Sequence, residues 1–290
     1  MKSKGIYYMI ASSFFFSMSS VLVKLVSSYF NSYFISVARF MIGIVIGIAY
    51  LFFTKNSFKV NDKRSWVLRG ITGSVSMVLF YLAIDMTGSA RATLMNNIYV
   101  IFVAMFGFVF SKERIKIVNI LSIILCLAGV TIIFYDGSKY SILGDMIGLL
   151  SGVIQGIAIH FTKCSSEKEH PTIVYMSACI FGLFFTPLSS VYNPNPGFIP
   201  VMIILSIGAS SFLAQWFMTR SYSKISAIKG SIFSYLKIPF TVILSTLFGN
   251  QIHTKFYIGT VVFVIGLLFE SEIINFKRSA MKQSNKEGAR

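Results

Sequence analysis

The chain has 290 residues, of which 55% are hydrophobic and only 12% charged, with a formal net charge of +16. Soluble domains carry roughly a quarter charged residues, so the composition excludes a water-soluble globular fold. The basic residues are dispersed among short connections and form no single patch, which excludes a nucleic-acid surface as the reason for the charge.

Apolar stretches of about 20 residues, enough for the ~30 Å hydrocarbon core, recur from Gly5 to Ile274. Each is a continuous run without two-residue alternation, which predicts helices and argues against a porin-type barrel. Ten spans are expected, at 5–26, 32–53, 65–84, 90–110, 115–135, 142–162, 171–191, 199–219, 225–248 and 254–274. Lys2 and Lys4 precede the first run as in a signal peptide, but the run continues to Val26 without a small-residue cleavage site and reads as a span. Cys126, Cys164 and Cys179 stand singly, with neither metal-ligand nor redox spacing, and read as buried packing residues.

Orientation follows from the lysines and arginines. One set of connections holds Lys2 and Lys4, then Lys55, Lys59, Lys63 and Arg64, then Lys112, Arg114 and Lys116, then Lys163 and Lys168, then Arg220 and Lys224, and finally the basic tail. The opposite set holds Arg91, Lys139 and Lys255 alone. The first set is therefore expected in the cytoplasm with both termini, which requires an even number of spans.

Sliding the chain against itself by 137 positions superposes Phe80 on Phe217, Ser89 on Ser226, Ala90 on Ala227, Ile101 on Ile238 and Gly129 on Gly266. These identities fall on corresponding spans at the offset that five spans impose. The chain thus divides into 1–137, 138–276 and a basic cytoplasmic tail at 277–290. An odd number of spans per half makes the second half enter the membrane from the opposite side. The expected fold is all-α and integral to the membrane, with ten helices in two five-helix inverted-topology repeats.

The stretch from Phe80 to Ala92, the Lys112-Glu113-Arg114-Ile115 element and Gly129-Val130 resemble the EamA-type repeat of the drug/metabolite transporter superfamily. Arg39-Phe40 and Tyr235-Leu236-Lys237-Ile238-Pro239 look like other positions of that family. Departures are Tyr99-Val100, where the family often has a proline, and Asn250-Gln251, where an acidic residue is common. The resemblance implies a carrier in the cytoplasmic (inner) membrane with a central cavity between its halves. Spans five and ten would then lie at the periphery, where dimer contacts are often made. It implies a small-molecule metabolite as partner, with export favoured over uptake, and leaves the substrate open among amino acids, nucleotide-sugars, sugar phosphates and cationic drugs.

An ionisable side chain deep in the bilayer costs at least ~2.5 kcal/mol on the insertion scale, so it faces a cavity or a partner. Lys24, Arg69 and Lys229 lie within about a turn and a half of a span end, where a snorkelling side chain reaches the headgroups. Lys237 is ~18 Å along span nine, near the midplane and beyond the reach of snorkelling. Pro239 follows, and its missing N–H is expected to free a carbonyl near Tyr235. Arg39, ~10 Å from the end of span two, is a second candidate for substrate contact. No Asp or Glu lies in the middle of any span, so Lys237 is expected to meet a carboxylate or phosphate on the substrate. The same absence argues against a carboxylate proton relay and leaves His160 as a titrating candidate near a span end.

Asn96 and Asn97 are adjacent amides inside span four pointing some 100° apart, and one of them is expected to face the cavity. The repeat offset sets Asn97 against Ser234 and Ile98 against Tyr235, which groups Asn97, Ser234, Tyr235 and Lys237 about a pseudo-two-fold axis. Tyr99 and Gln155 complete the candidate set, with Tyr81, Gln215 and Trp216 as weaker members. Ser13, Ser17 and Ser20 share one face of span one, and Gly144, Gly148, Gly152 and Gly156 form a ribbon on span six. Both stripes read as close helix packing. No P-loop, HExxH, cysteine cluster or paired carboxylates occur, so neither ATP hydrolysis, a metal, another cofactor nor catalysis is expected. Two rival readings are a membrane transferase acting on lipid-linked substrates and a non-transporting receptor or scaffold.

Overall fold

The computed structural model describes residues 2–111, 116–134, 141–185, 197–247 and 254–270. The Lys112–Ile115 element, Lys139, Asn250-Gln251 and the tail at 277–290 lie outside them. The described residues form α1 (Lys2–Val26), α2 (Ser32–Phe53), α3 (Lys63–Asn97), α4 (Tyr99–Ser111), α5 (Ile117–Phe134) and α6 (Ile142–Ser166), then α7 (Pro171–Phe185), α8 (Phe198–Tyr222), α9 (Ala227–Ser234), α10 (Lys237–Thr246) and α11 (Thr254–Glu270). Among the described residues, seven segments are long and apolar enough to cross a membrane. Shorter apolar helices at 117–133, 171–184 and 254–269 fall where the other three expected spans lie.

Polarity is arranged for lipid. Met41, Val45, Ile48, Phe52, Ile124 and Val261 are exposed, while many serines are fully buried between helices. With hydrocarbon outside, burying apolar side chains yields little, and helices associate through close packing and hydrogen bonds. Ser12 Oγ donates to Ala214 O at 2.8 Å and Ser74 Oγ to Ala178 O at 3.0 Å, each joining helices far apart in sequence.

The helix pairings cross between the two halves of the chain. α1 packs on α8 as α3 packs on α6, and α1 packs on α9 and α10 as α6 packs on α4. α2 pairs with α7, α4 with α9 and α5 with α11. A 137-residue shift carries α1 onto α6, α2 onto α7, α3 onto α8 and α9, α4 onto α10 and α5 onto α11, so that related pairings exchange.

Two places depart from the expected layout. α3 continues as helix from 63 to 97, so the expected connection between spans three and four is not a break in the helix. The interruptions fall inside spans four and nine instead, at Ile98 and at Tyr235-Leu236. They are equivalent in detail: Ile101 N–H donates to Ile98 O at 2.9 Å, and 137 residues on Ile238 N–H donates to Tyr235 O at 2.8 Å. Each tightened turn takes an N–H from the carbonyl one residue earlier, leaving Asn97 O and Ser234 O to find other donors.

The glycine ribbon behaves as expected. A Cβ on Gly144 would meet Thr87, on Gly148 Met95, on Gly152 the carbonyl of Asn96 at 2.9 Å and on Gly156 the Phe102 side chain at 2.6 Å. α6 is thereby seated directly on the span-four interruption. At the periphery, Cβ atoms on Gly129 and Gly259 would each come within 2.6 Å of the other residue's carbonyl oxygen, so α5 and α11 touch backbone to backbone. Gly129→Val is expected to force them apart at about 1–3 kcal/mol, lowering the melting temperature in detergent by several degrees. An unchanged melting temperature would mean the contact contributes little.

At one end the 54–62 connection is tied to the α6–α7 connection. Glu169 accepts from the backbone N–H of Asn61 at 2.6 Å and of Asp62 at 2.7 Å, and Lys168 Nζ binds Asp62 Oδ2 at 2.7 Å. Asp62 also caps α3 through Ser65 N–H at 3.1 Å. The Lys168 ammonium, and next the Ser65 N–H, hold the Asp62 carboxyl at about 2, below the ordinary carboxylate value. Because that value is depressed in the folded state, the stabilisation is complete above about pH 4, the unfolded value, and is lost as pH falls towards 2. A melting-temperature profile from pH 6 to 2 should show this loss in the native protein, and Asp62→Asn should flatten it.

Candidate functional site

The two interruptions face each other and complete one another. Asn97 O accepts the Tyr235 hydroxyl, while Tyr99 OH pairs with Ser234 Oγ. The Tyr99 and Tyr235 rings stand edge to face with centroids 6.1 Å apart. Ser234 O accepts Ser13 Oγ of α1 at 3.4 Å, and one turn along Ser17 Oγ donates to Lys237 O at 2.7 Å. Ser13 and Ser17 of α1 thus do more than pack closely, because they supply donors to carbonyls at the break in span nine, whereas Ser20 bonds Phe16 O of its own helix. The carbonyl expected to be free near Tyr235 is not available either: Tyr235 O takes Ile238 N–H, and the one left over is capped.

Lys237 opens α10 at this junction. Its Nζ lies 5.2 Å from the Tyr99 ring centroid, over the negative face of the ring. Its carbonyl also takes Thr241 Oγ1 at 2.7 Å. Ion pairs among the described residues are Arg91–Asp145, Lys163–Glu167 and Lys168–Asp62, and Lys237 is in none of them. Five of the expected residues, Asn97, Tyr99, Ser234, Tyr235 and Lys237, are thus brought into one cluster. Asn97 is wholly buried, and neither Nδ2 nor Oδ1 of its amide has a partner among the described residues.

Asn96 and Gln155 belong to an adjoining network. Asn96 Nδ2 donates to Ser151 Oγ at 2.9 Å, and Ser76 Oγ bonds both Ser151 O at 2.9 Å and Gln155 Oε1 at 3.0 Å. Arg39 has other neighbours than the Lys237 cluster, namely Phe40 and Met77. It is buried, and its Nη2 points at Met77 Sδ, 3.2 Å away on α3. His160 is buried among Phe110 and Phe161, 3.8 Å from Cys164 Sγ. Cys126 and Cys179 are buried as expected, whereas Cys164 is half-buried.

Arg69 is a correction. Its expected role was to snorkel to the nearby end of span three, yet it is only 3% exposed. The side chain turns the other way and passes over Gly73, where Nη1 occupies the space a Cβ would take. Its Nη2 reaches Gln215 Oε1 at 3.3 Å. Lys24, which had the same expected role, is exposed.

The family model described as the EamA-like transporter family matches residues 3–135 and again 142–271. The chain belongs to that family. Among curated relatives of this EamA-like transporter, the pseudopaline exporter CntI of Pseudomonas aeruginosa is 27% identical over 258 residues, covering 86% of this chain and 88% of the relative. Solute carrier family 35 member G1 of Mus musculus is 25% identical over 281 residues, 90% of this chain and 76% of the relative. The S-adenosylmethionine uptake transporter of Rickettsia conorii is 19% identical over 290 residues, 97% and 96%. A solved crystal structure superposes with a TM-score of 0.78 at 14% identity, over 92% of this chain and 96% of that one, which shows a shared fold. Family membership and the apolar helices make this a multi-pass membrane protein, and a transporter.

Proposed function

We propose that the chain is a ten-span secondary carrier of a small metabolite bearing a carboxylate or phosphate, working by alternating access about the two facing interruptions. The observation that carries the reading is Lys237, a cation at a helix break that lies over the face of Tyr99 and is in no ion pair among the described residues. A buried ammonium without a carboxylate is stabilised by an anionic solute that reaches it. Discontinuous helices at the midplane are where secondary transporters place their substrate sites. The paired 98 and 235 interruptions, the exchanged helix pairings and the double family match support two inverted-topology repeats, and the lysine and arginine asymmetry of the connections supports both termini in the cytoplasm of an inner-membrane protein. Export is the proposed direction, supported by the named exporter among the relatives.

The test is a thermal-shift screen of the purified protein against amino acids, organic acids, sugar phosphates, nucleotides and cationic drugs, run in parallel on Lys237→Met. Ligands stabilise the native state by mass action, so an anionic or zwitterionic solute should raise the melting temperature and lose that effect in the variant. Stabilisation by a cationic compound, undiminished in Lys237→Met, would overturn the reading.

A further inference from the structure

We propose that Arg39 and Arg69 form a second oxyanion site, distinct from the Lys237 cluster and enclosed by α2, α3, α7 and α8, that takes a carboxylate or phosphate group. Arg39 and Arg69 are 8% and 3% exposed. Each guanidinium has five donors. Against these stand a thioether for Arg39 and one amide oxygen for Arg69, and the Nε of both lacks a partner. Neither arginine is in an ion pair among the described residues. Both lie within electrostatic reach of Tyr175 and Cys179. Trp216 Nε1 is likewise buried with no partner among the described residues, the Tyr175 hydroxyl lies against the Cys179 thiol, and Tyr175 and Trp216 belong to one packed cluster with Phe40 and Met77. Gly43 clears the space for the Tyr175 hydroxyl, which would lie 2.5 Å from a Cβ there.

The surplus is therefore mainly of donors, with the Tyr175 hydroxyl alone able to accept as well, around two fixed positive charges. Water could satisfy the donors, but an anion also offsets the charge, and a planar or tetrahedral oxyanion accepts from the guanidinium fork in two places. Arg69 is also placed for this role, since Gly73 lets it turn inward along α3 rather than outward to the headgroups.

The proposal rests on the carrier reading only for the idea that such a ligand traverses the protein, and binding tests it alone. The chain has two tryptophans, Trp66 and Trp216, so in a Trp66→Phe background Trp216 reports on the site. Fluorescence and melting temperature would be followed against inorganic phosphate and succinate, with chloride at matched ionic strength as control. Saturable binding of phosphate or succinate is expected, at least about tenfold weaker in Arg39→Gln and in Arg69→Gln and unaffected by Lys237→Met. Preference between the two ions distinguishes a phosphate from a carboxylate ligand. Gly73→Ala keeps both charges but displaces the Arg69 guanidinium, and should weaken binding even if an arginine variant fails to fold. No saturable response, an equal response to chloride, or binding retained in both glutamine variants would overturn the site. Solute stabilisation that depends on Lys237, with no saturable Trp216 response to phosphate or succinate, would overturn it while leaving the proposed function standing.

Discussion

Asn97→Ala should raise the melting temperature of the protein and at the same time remove its solute-dependent stabilisation. The side chain is fully buried and both polar atoms of its amide lack a partner. Burying such a group without hydrogen bonds costs about 1–3 kcal/mol on the scale of protein mutational data. Alanine removes that cost and is the better helix former at the last residue of α3. The backbone carbonyl that accepts the Tyr235 hydroxyl remains. A residue kept at a net cost to the fold, beside Lys237 and between two interrupted helices, is explained by a ligand that completes its hydrogen bonds. The measurement is a pair of melting curves, with and without the best solute from the screen. A melting temperature that falls in the variant, with the solute shift preserved, would show that the amide is a structural member satisfied in the membrane.

Gly152→Val should have the opposite signature, with loss of both stability and solute response. A Cβ at this position would stand 2.9 Å from Asn96 O and 3.3 Å from Met95 O. These are backbone atoms at the edge of the interruption, so no side-chain rotation relieves the clash, and α6 must move away from α3 and α4. Overpacking of this kind costs about 1–3 kcal/mol or more, and displaces Ser151 from Asn96 as well. Alanine at the same position should give an intermediate effect, since its single methyl makes the same contact without branching. If valine leaves melting temperature and solute response as they are in the native protein, α6 is not seated on the break as described.

The helices were legible because apolar run length is set by bilayer thickness and needs no tertiary information. Lys237 was legible for the same reason, as depth along a helix follows from counting residues. The interruption at Ile98 was not, because the surrounding sequence has no proline and no glycine, and the break is stabilised by a hydroxyl from Tyr235, a residue 137 positions away. Pro239 pointed to an interruption of span nine near Tyr235, where the turn does tighten, but not to the hydrogen bonds that use up the carbonyls there. Arg69 was misread because distance to the nearest span end says nothing about which way a side chain turns. The signal was present in Gly73, four residues on and on the same face, which opens an inward course. Tyr175 carried no signal at all, since an isolated tyrosine in an apolar helix is ordinary.

The exchange of hydroxyls between the interruptions has a consequence for ancestry and assembly. If the two halves descend from one duplicated gene, the tyrosines are not inherited from it in register: Tyr235 corresponds to Ile98, and Tyr99 to Leu236. Two copies of the first half would therefore set an isoleucine against the Asn97 carbonyl, and two copies of the second would set a leucine against the Ser234 hydroxyl. Each half has become the obligate complement of the other, and neither is equipped to rebuild the junction by pairing with itself.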